Sequence, residues 1–359
     1  MSRVRATVDA AALRHNLARV RACAPGCRVV AAIKADAYGH GAFHVVTALA
    51  DADAFAVATV DEALQLRWAG VSKPLIVLSA IRGVADLTAC AEHGLQPVLH
   101  DATQLAALAA HGGQGLEVWI KLDTGMNRLG FPAEEAGALH RRLAALPAVR
   151  LAGWMTHLAC ADDPDDPATM TQVRRFHAAL GDLPGERSIA NSAGILAWPD
   201  SHADNVRPGI MLYGASPLLG RDGPSLDLRP AMTLTAPLVA RKSVAAGEAI
   251  GYGATWRAPE DMPVGLVAIG YGDGYPRHAP SGTPVLVHGK RVPLVGRVSM
   301  DLITVDLRDC PEAEVGDEAT LWGEGLPVDE VAAAAGTIAY ELFCRLTNRV
   351  EFVYIDSER

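Results

Sequence analysis

VVAAIKADAYGHG, residues 29–41, sets Lys34 at the end of an apolar run and follows it at once with Asp36, Tyr38 and two glycines. Val29 to Ile33 read as a buried strand. A lysine in that setting loses hydration, and desolvation disfavours its charged form. A free lysine has a pKa of about 10.4 and is a poor nucleophile at neutral pH. Burial lowers that value and makes the amine usable for Schiff-base chemistry. The same pattern also describes a strand-end lysine whose head reaches water, so the rest of the chain has to separate the two.

Outward from this run, short apolar stretches alternate with Ala/Leu-rich helical ones. The stretches are CRVVAAIK, AFAVATV, PLIVLS, GLQPVLH, LEVWIKLDTG, VRLAGWMTH, RSIANSA and NVRPGIMLYG, eight by residue 214. Amphipathic segments such as VDEALQLRWAG and DATQLAALAAHGG lie between them. Alternation of this kind implies parallel βαβ units. A (β/α)8 barrel takes about 250 residues, roughly 30 per unit, and the spacing is close to that. An open doubly wound sheet is the alternative. It more often carries a Gly-rich dinucleotide loop after its first strand, and no GxGxxG follows this one.

Polar residues end these runs: Lys34 on the first, Lys121 and Asp123 on the fifth with Arg128 in the next loop, Thr156 and His157 on the sixth. Asn191 and Ser192 end the seventh, and the eighth region holds Arg207, Gly209 and Tyr213. In a barrel all such ends meet at one face, where barrel enzymes keep their chemistry. After about residue 227 the texture changes to strand-like MTLTAPLVARKSV, PVGLVAIGYGDGY, TPVLVHGKRVPLVG, RVSMDLITVDL and EATLWG, with one helical PVDEVAAAAG and a closing RVEFVYI. The expected organisation is a barrel over residues 1–227 and a smaller, mainly β domain over 228–359.

The chain has 359 residues, 50% hydrophobic and 20% charged, with a net charge of -9. Such an acidic balance argues against a nucleic-acid or anionic-membrane partner. No uncharged apolar stretch is long enough to span a bilayer. Six scattered cysteines with no CxxC pair read as reduced thiols of a cytoplasmic protein. Cys23 and Cys27 lack a second Cys/His pair at zinc spacing. The Arg-rich start could pass for a transit peptide; it also reads as a strand, Arg5 to Val8, leading into a helix capped near Asp9. His40 and His44 are spaced as a helical metal pair, but a helix starting after Gly41 explains them better, and no metal is expected. The acidic ADDPDDP, residues 161–167, lacks the glycine and closing Glu of a calcium loop and reads as a solvated turn capping the next helix.

VVAAIKADAYGHG resembles the cofactor-lysine motif of the alanine racemases. The likeness continues in order through KLDTGMNRLGF, THLA, ANSAG, VRPGIMLYG, GYGATW, VAIGYGDGYPR, GRVSMD and AYELFC, covering essentially the whole chain. It implies a fold-type III enzyme that uses pyridoxal 5'-phosphate to interconvert L- and D-alanine, for cell-wall precursors or for alanine catabolism. Lys34 would carry the cofactor as a Schiff base. Tyr38, one helical turn on, resembles the family's cofactor-contacting tyrosine. Asn191 belongs to the matching NSA motif, and Ser192, Gly209, Ile210 and Tyr340 match positions that hold the phosphate. His157 matches the histidine beside the pyridine ring, and Arg207 the arginine at its nitrogen. An arginine is a donor with no acceptor and favours an unprotonated ring nitrogen. The electron sink is then weaker, which suits removal and return of one proton.

Racemisation needs a base on each face of the planar intermediate. By resemblance these are Lys34 and Tyr252, the latter reaching the other subunit's site, which implies a homodimer with composite active sites. Tyr271, Met300 and Asp301 resemble further contributions from that partner. Arg128 matches an arginine near the substrate carboxylate, and Lys121 a lysine that can be carbamylated to orient it. Some relatives have a histidine three residues before the Asn of NSA, in contact with the tyrosine base; Ser188 stands there in this chain. Three other readings are a related pyridoxal-phosphate decarboxylase, a non-catalytic pyridoxal-phosphate-binding barrel and a cofactor-free aldolase. The first would place a catalytic cysteine in the β domain, the second usually lacks that domain, and the third has no need of Arg207. A small pocket flanked by Tyr271 and Tyr340 also leaves room for slow serine turnover.

Overall fold

In the computed structural model, which describes residues 4–357, eight parallel strands close into a barrel. They are Arg28–Ala32, Ala54–Thr59, Leu75–Ala80, Leu95–Leu99, Leu116–Asp123, Val149–Met155, Glu186–Ser188 and Asn205–Val206. The eighth pairs back to the first through Asn205↔Arg28 and Val206↔Val29. Each falls within one of the eight apolar runs to within one residue. Side chains alternate along a strand, so Val30, Ala54, Ala56, Ile76, Val98, Trp119 and Met155 turn inward and fill the lumen as one cluster. The two alanines leave room for the Trp119 ring, whose Nε1 donates to Gln96 Oε1 at 3.0 Å. The alternate residues, Val29 and Ala31 among them, face the helices in a second, larger core.

Helix Ala10–Cys23 starts at Asp9, whose carboxylate accepts from Ala11 N. It packs between the helices that follow the first and seventh barrel strands. It thus fills the place of the ring's eighth helix, although it precedes the first strand in the chain. Asn16, fully buried, fixes it there: Nδ2 donates to the carbonyls of Leu212 and Arg229, and Oδ1 accepts from Arg229 N.

The second sheet is built on the long strand Met232–Val244. It pairs antiparallel with Glu318–Trp322 and, after a register shift between Leu238 and Ala240, with Met262–Val267. The hairpin Pro284–Val287 and Lys290–Pro293 extends it. Sequence reading assigns Arg5–Val8 to the barrel part, residues 1–227. The strand Arg5–Asp9 instead lies between Met232–Val244, antiparallel, and Glu351–Ile355, parallel. Its partners are more than two hundred residues away, and a local pattern carries no trace of such pairing. Residues 1–3, the first of the Arg-rich segment, lie outside the described residues.

Helix Ala42–Ala48 starts after Gly41 as expected. His40 is buried against Tyr213 and Phe343, whereas His44 stacks on Tyr354 at 3.5 Å. In the acidic loop, Asp166 accepts from Ala168 N at the head of helix Ala168–Leu180. All six cysteines are free thiols. Among the described residues no helix is long and apolar enough to cross a membrane.

Candidate active site

The first barrel strand ends where Ile33 N donates to Ala56 O. Lys34 follows, and then the chain makes an unusual turn: Ala35, Asp36, Ala37 and Tyr38 all have φ between 52° and 55°. Four successive L-residues in the left-handed region cost roughly 1–2 kcal/mol each, so other contacts must hold the turn. Ala35 N donates to Glu62 Oε1 at 2.8 Å, and Ala42 N to Asp36 Oδ1 at 2.7 Å. His40 Nδ1 donates to the Tyr38 carbonyl at 3.0 Å, and burial holds this imidazole neutral, its pKa down at about 4. Gly39 must be glycine: its φ is +77°, and a Cβ would sit 2.3 Å from Phe343 O. Sequence reading sees an ordinary helical turn between Lys34 and Tyr38. The turn is helical but of opposite hand, because tertiary contacts outweigh intrinsic preference. Tyr38 is thereby stacked on Tyr213 at 4.8 Å and tilted against Tyr340 at 5.9 Å.

Lys34 opens into a cavity of about 620 Å³ at the C-terminal ends of the barrel strands. Twelve residues singled out from the sequence line it: Lys34, Tyr38, Lys121, Arg128, Thr156, His157, Asn191, Ser192, Arg207, Gly209, Ile210 and Tyr340. The wall carries four cationic side chains, Lys34, Lys121, Arg128 and Arg207, and no carboxylate. Burial, then Arg128, pushes the Lys34 amine below its ordinary pKa, with Glu62 opposing. Burial, then Arg207 and Arg128, brings Lys121 down to about 8. Desolvation, then Arg207, holds His157 well below its usual value and therefore neutral. Burial raises the Tyr340 phenol to about 12.

Arg207 is buried with both terminal nitrogens committed. Nη1 donates to Ser188 Oγ at 2.6 Å; Nη2 donates to the carbonyls of Thr156 and, at 3.3 Å, Ile189. Ser188 in turn donates to Asn205 O at 3.0 Å. Sequence reading leaves the tuning of Tyr252 open, because Ser188 stands where some relatives have histidine; the Ser188 hydroxyl accepts from Arg207, just beyond the neighbouring strand Asn205–Val206. Ser192 Oγ accepts from Gly209 N at 2.8 Å and Met211 N at 3.4 Å. Asn191 Oδ1 caps the short helix Ser192–Ala197 through Gly194 N. Gly209 lies so close to Tyr38 that a Cβ would meet its hydroxyl at 2.4 Å.

Sequence reasoning missed several contributors. Ser79, at the third strand end, also lines the cavity; the strand-end rule that found the others applies to it. Buried Gln172 donates to His157 O at 3.0 Å and to Thr124 Oγ at 3.3 Å, and accepts from Ala159 N at 2.8 Å, tying together the loops after the fifth and sixth strands. Cys344 reaches the cavity from helix Ala339–Cys344, which also brings Tyr340 there and ends the AYELFC motif. No local signal marks Gln172.

Tyr252, Tyr271, Met300 and Asp301 line no part of this cavity. All four are exposed, Tyr252 to 68% and Met300 to 52%. Tyr271 and Met300 are neighbours through Tyr271 N→Ser299 O and Gly272 N→Met300 O. Asp301 accepts from Arg349 at 2.8 Å. Away from the cavity, His288, Cys310 and Glu312 bring potential ligand atoms within 4.8 Å of one another. Asp317 already pairs with His288 at 2.8 Å and Lys290 with Glu312 at 2.7 Å, so this cluster is occupied by its own ion pairs.

A cation-lined cavity with a desolvated lysine, at the C-terminal mouth of a (β/α)8 barrel joined to a β domain, defines a barrel enzyme that works through an amine on an anionic ligand. Residues 8–217 match the family model for the alanine racemase N-terminal domain, and residues 231–354 that for the alanine racemase C-terminal domain. The chain belongs to the alanine racemase family. It is 57% identical over 355 residues to the alanine racemase of Thioalkalivibrio sulfidiphilus, covering 98% of each chain. Its fold superposes on the crystal structure of the biosynthetic alanine racemase of Pseudomonas aeruginosa with a TM-score of 0.96, at 48% identity over 99% of this chain and 100% of that one. It also resembles a Bartonella henselae alanine racemase with covalently bound pyridoxal phosphate, TM-score 0.89, at 28% identity over 99% and 100% of the two chains. Racemisation of alanine is the activity these likenesses support.

Proposed function

We propose that the chain racemises alanine with pyridoxal 5'-phosphate carried on Lys34, by a two-base mechanism in which Tyr252 of a second copy supplies the other base. The observation that carries this reading is a depressed lysine amine in a cavity walled by cations and free of carboxylates. Those residues fit the cofactor's chemistry. A phosphate dianion and a substrate carboxylate both need cationic or N–H donors. Gly209 offers an approach that a side chain would fill. Bound there, the cofactor would supply the electron sink that makes the α-proton of alanine removable.

The chain's own residues then divide the work. Lys34, its pKa lowered by burial and then Arg128, would take a proton on its face as the amine and return it as the ammonium. Ser188, Thr156 and Ile189 hold the Arg207 guanidinium at the cavity wall, and as a pure donor it does not protonate what it faces. Arg128 is the cation available for the substrate carboxylate. Lys121, at about 8, has roughly a tenth of its amine neutral at pH 7, enough to add carbon dioxide at nitrogen, release one N–H proton to solvent and present a negative carbamate to Arg128. The high exposure of Tyr252, Tyr271 and Met300 supports a homodimer in which they complete the partner's cavity. The likeness to a biosynthetic relative favours supply of D-alanine for the cell wall.

The test is a chiral time course from pure L-alanine with pyridoxal 5'-phosphate present, wild type beside Lys34→Ala. D-alanine rises to near parity in the wild type and stays at background in the variant. Turnover by Lys34→Ala at a comparable rate would refute the assignment. L-serine is racemised in the same assay, more slowly than alanine.

A further inference from the structure

The carboxylate of Glu62 gathers three backbone donors from two barrel segments. Oε2 accepts from Thr59 N at 3.2 Å and Ala58 N at 2.7 Å. Oε1 accepts from Ala35 N at 2.8 Å. The first is half of a capping box: Thr59 Oγ1 accepts in return from Glu62 N at 3.1 Å, at the start of helix Val60–Trp68. Such a box needs only the contacts within its own helix start. The other two are additional. The ladder between the second and third barrel strands slips between Val57 and Thr59, and Ala58 N, at the slip, is taken by Glu62. Ala35 N belongs to the peptide bond that follows Lys34 and opens the left-handed turn.

We propose that Glu62 is a positioning residue for Lys34: it ties the peptide after the reactive lysine to the head of the next barrel helix, and it sets a negative charge behind an amine otherwise surrounded by cations. The tie gives the turn's first N–H a charged acceptor, and a hydrogen bond to an ionised group is the stronger kind. The charge acts in the opposite sense to Arg128 and Arg207. The groups bearing on the Lys34 amine are Arg128 and Arg207, which disfavour its ammonium, and Glu62 and the Cys344 thiol, which favour it. Lys121 adds to the repulsion from the fifth strand. Glu62 offsets part of that repulsion and so favours the ammonium form that returns a proton.

This rests on Lys34 being the cofactor lysine, and the experiment separates the two failures. Full-length protein is stripped of cofactor, pyridoxal 5'-phosphate is added, and the rate of appearance of the yellow lysine-bound form is followed from pH about 6 to 10, the range over which a perturbed amine titrates. In Glu62→Gln the midpoint of the rate profile moves about one pH unit lower, the size of effect one charge several Å away exerts in a protein. In Glu62→Asp the charge remains but the reach to Ala35 N is lost, so the midpoint stays and the plateau rate falls several-fold. Thr59→Ala breaks the capping box alone and leaves both midpoint and plateau as in the wild type. An unmoved midpoint in Glu62→Gln, or the same shift in Thr59→Ala, overturns the proposal. If Glu62→Gln does not fold, Glu62→Asp decides: a profile identical to the wild type overturns it. No yellow form in the wild type, or an equal one in Lys34→Ala, would instead refute the cofactor assignment.

Discussion

Lys34 and Lys121 are chemically identical side chains in one cavity, and their surroundings give them different work. Burial lowers both amines and brings Lys121 down to about 8; Arg128 and Arg207 press on both, opposed by Glu62 and the Cys344 thiol at Lys34 and by Asp123 at Lys121. Both were legible in the sequence as strand-end lysines; which charges face them was not. Tyr252 has the opposite character, named by its motif and left in solvent by its own chain. Tyr252→Phe removes only the phenolic proton acceptor. Racemisation then falls by about 10²–10⁴, the usual worth of a general base, while exchange of the α-proton of D-alanine with deuterated solvent persists through Lys34. Loss of both would place the two bases on one residue. Gly209→Ala drives a methyl to 2.4 Å from the Tyr38 hydroxyl. Overpacking of this kind costs about 1–3 kcal/mol; a lower melting temperature and weaker cofactor uptake in a titration are the expected outcome.

The left-handed turn after Lys34 is the element whose hand no residue pattern foretold. KADAY contains no glycine at the four positions concerned, and alanine is a strong right-handed helix former. Glu62, Asp36 and His40 overrule that preference because the backbone groups they satisfy have no other partners. Ala35 is exposed at φ 52°, so its strain is separable from packing. Ala35→Gly keeps or raises the melting temperature, since relief of the left-handed penalty offsets glycine's greater freedom in the unfolded chain. Ala35→Val lowers stability by more than about 1 kcal/mol, because a β-branched side chain fits that region worse. A fall in both variants would show that the methyl group, not the backbone, matters there. Around this turn the barrel elements themselves were readable: each of the eight apolar runs became a strand, since buried parallel strands are written as local hydrophobicity.

Across the molecule, barrel and β domain are joined by contacts that the sequence orders far apart. Asp329, in the first turn of helix Val328–Ala334, accepts from Ser216 N and Gly223 N of the segment leaving the barrel. Burial raises its pKa to about 6 despite those bonds. A carboxyl raised in the folded state contributes stability below its unfolded pKa of about 4 and loses it as pH rises through the folded value. Asp329→Asn keeps an acceptor and cannot titrate, so its melting temperature gains on the wild type between pH about 4 and 7, by at most about 3 kcal/mol in free energy. A constant difference would remove Asp329 as the source. If sites are shared between copies, mixing Lys34→Ala with Tyr252→Phe subunits restores about a quarter of wild-type activity, since half the dimers are mixed and each has one intact site. No recovery after subunit exchange would confine each site to one chain.

The amino-acid sequence alone determined the barrel strands, the change to a β domain and the strand-end residues at the cavity, because periodicity and strand-end chemistry are local; Tyr38, Ile210 and Tyr340 came from the resemblance of their motifs. Tertiary structure alone decided the hand of the turn after Lys34, the placing of Arg5–Asp9 in the second sheet, the commitment of Ser188 to Arg207 and the presence of Cys344 and Gln172 around the site. Each of these depends on which distant groups meet when the chain closes up, and that is a property of the packed molecule rather than of any segment of it.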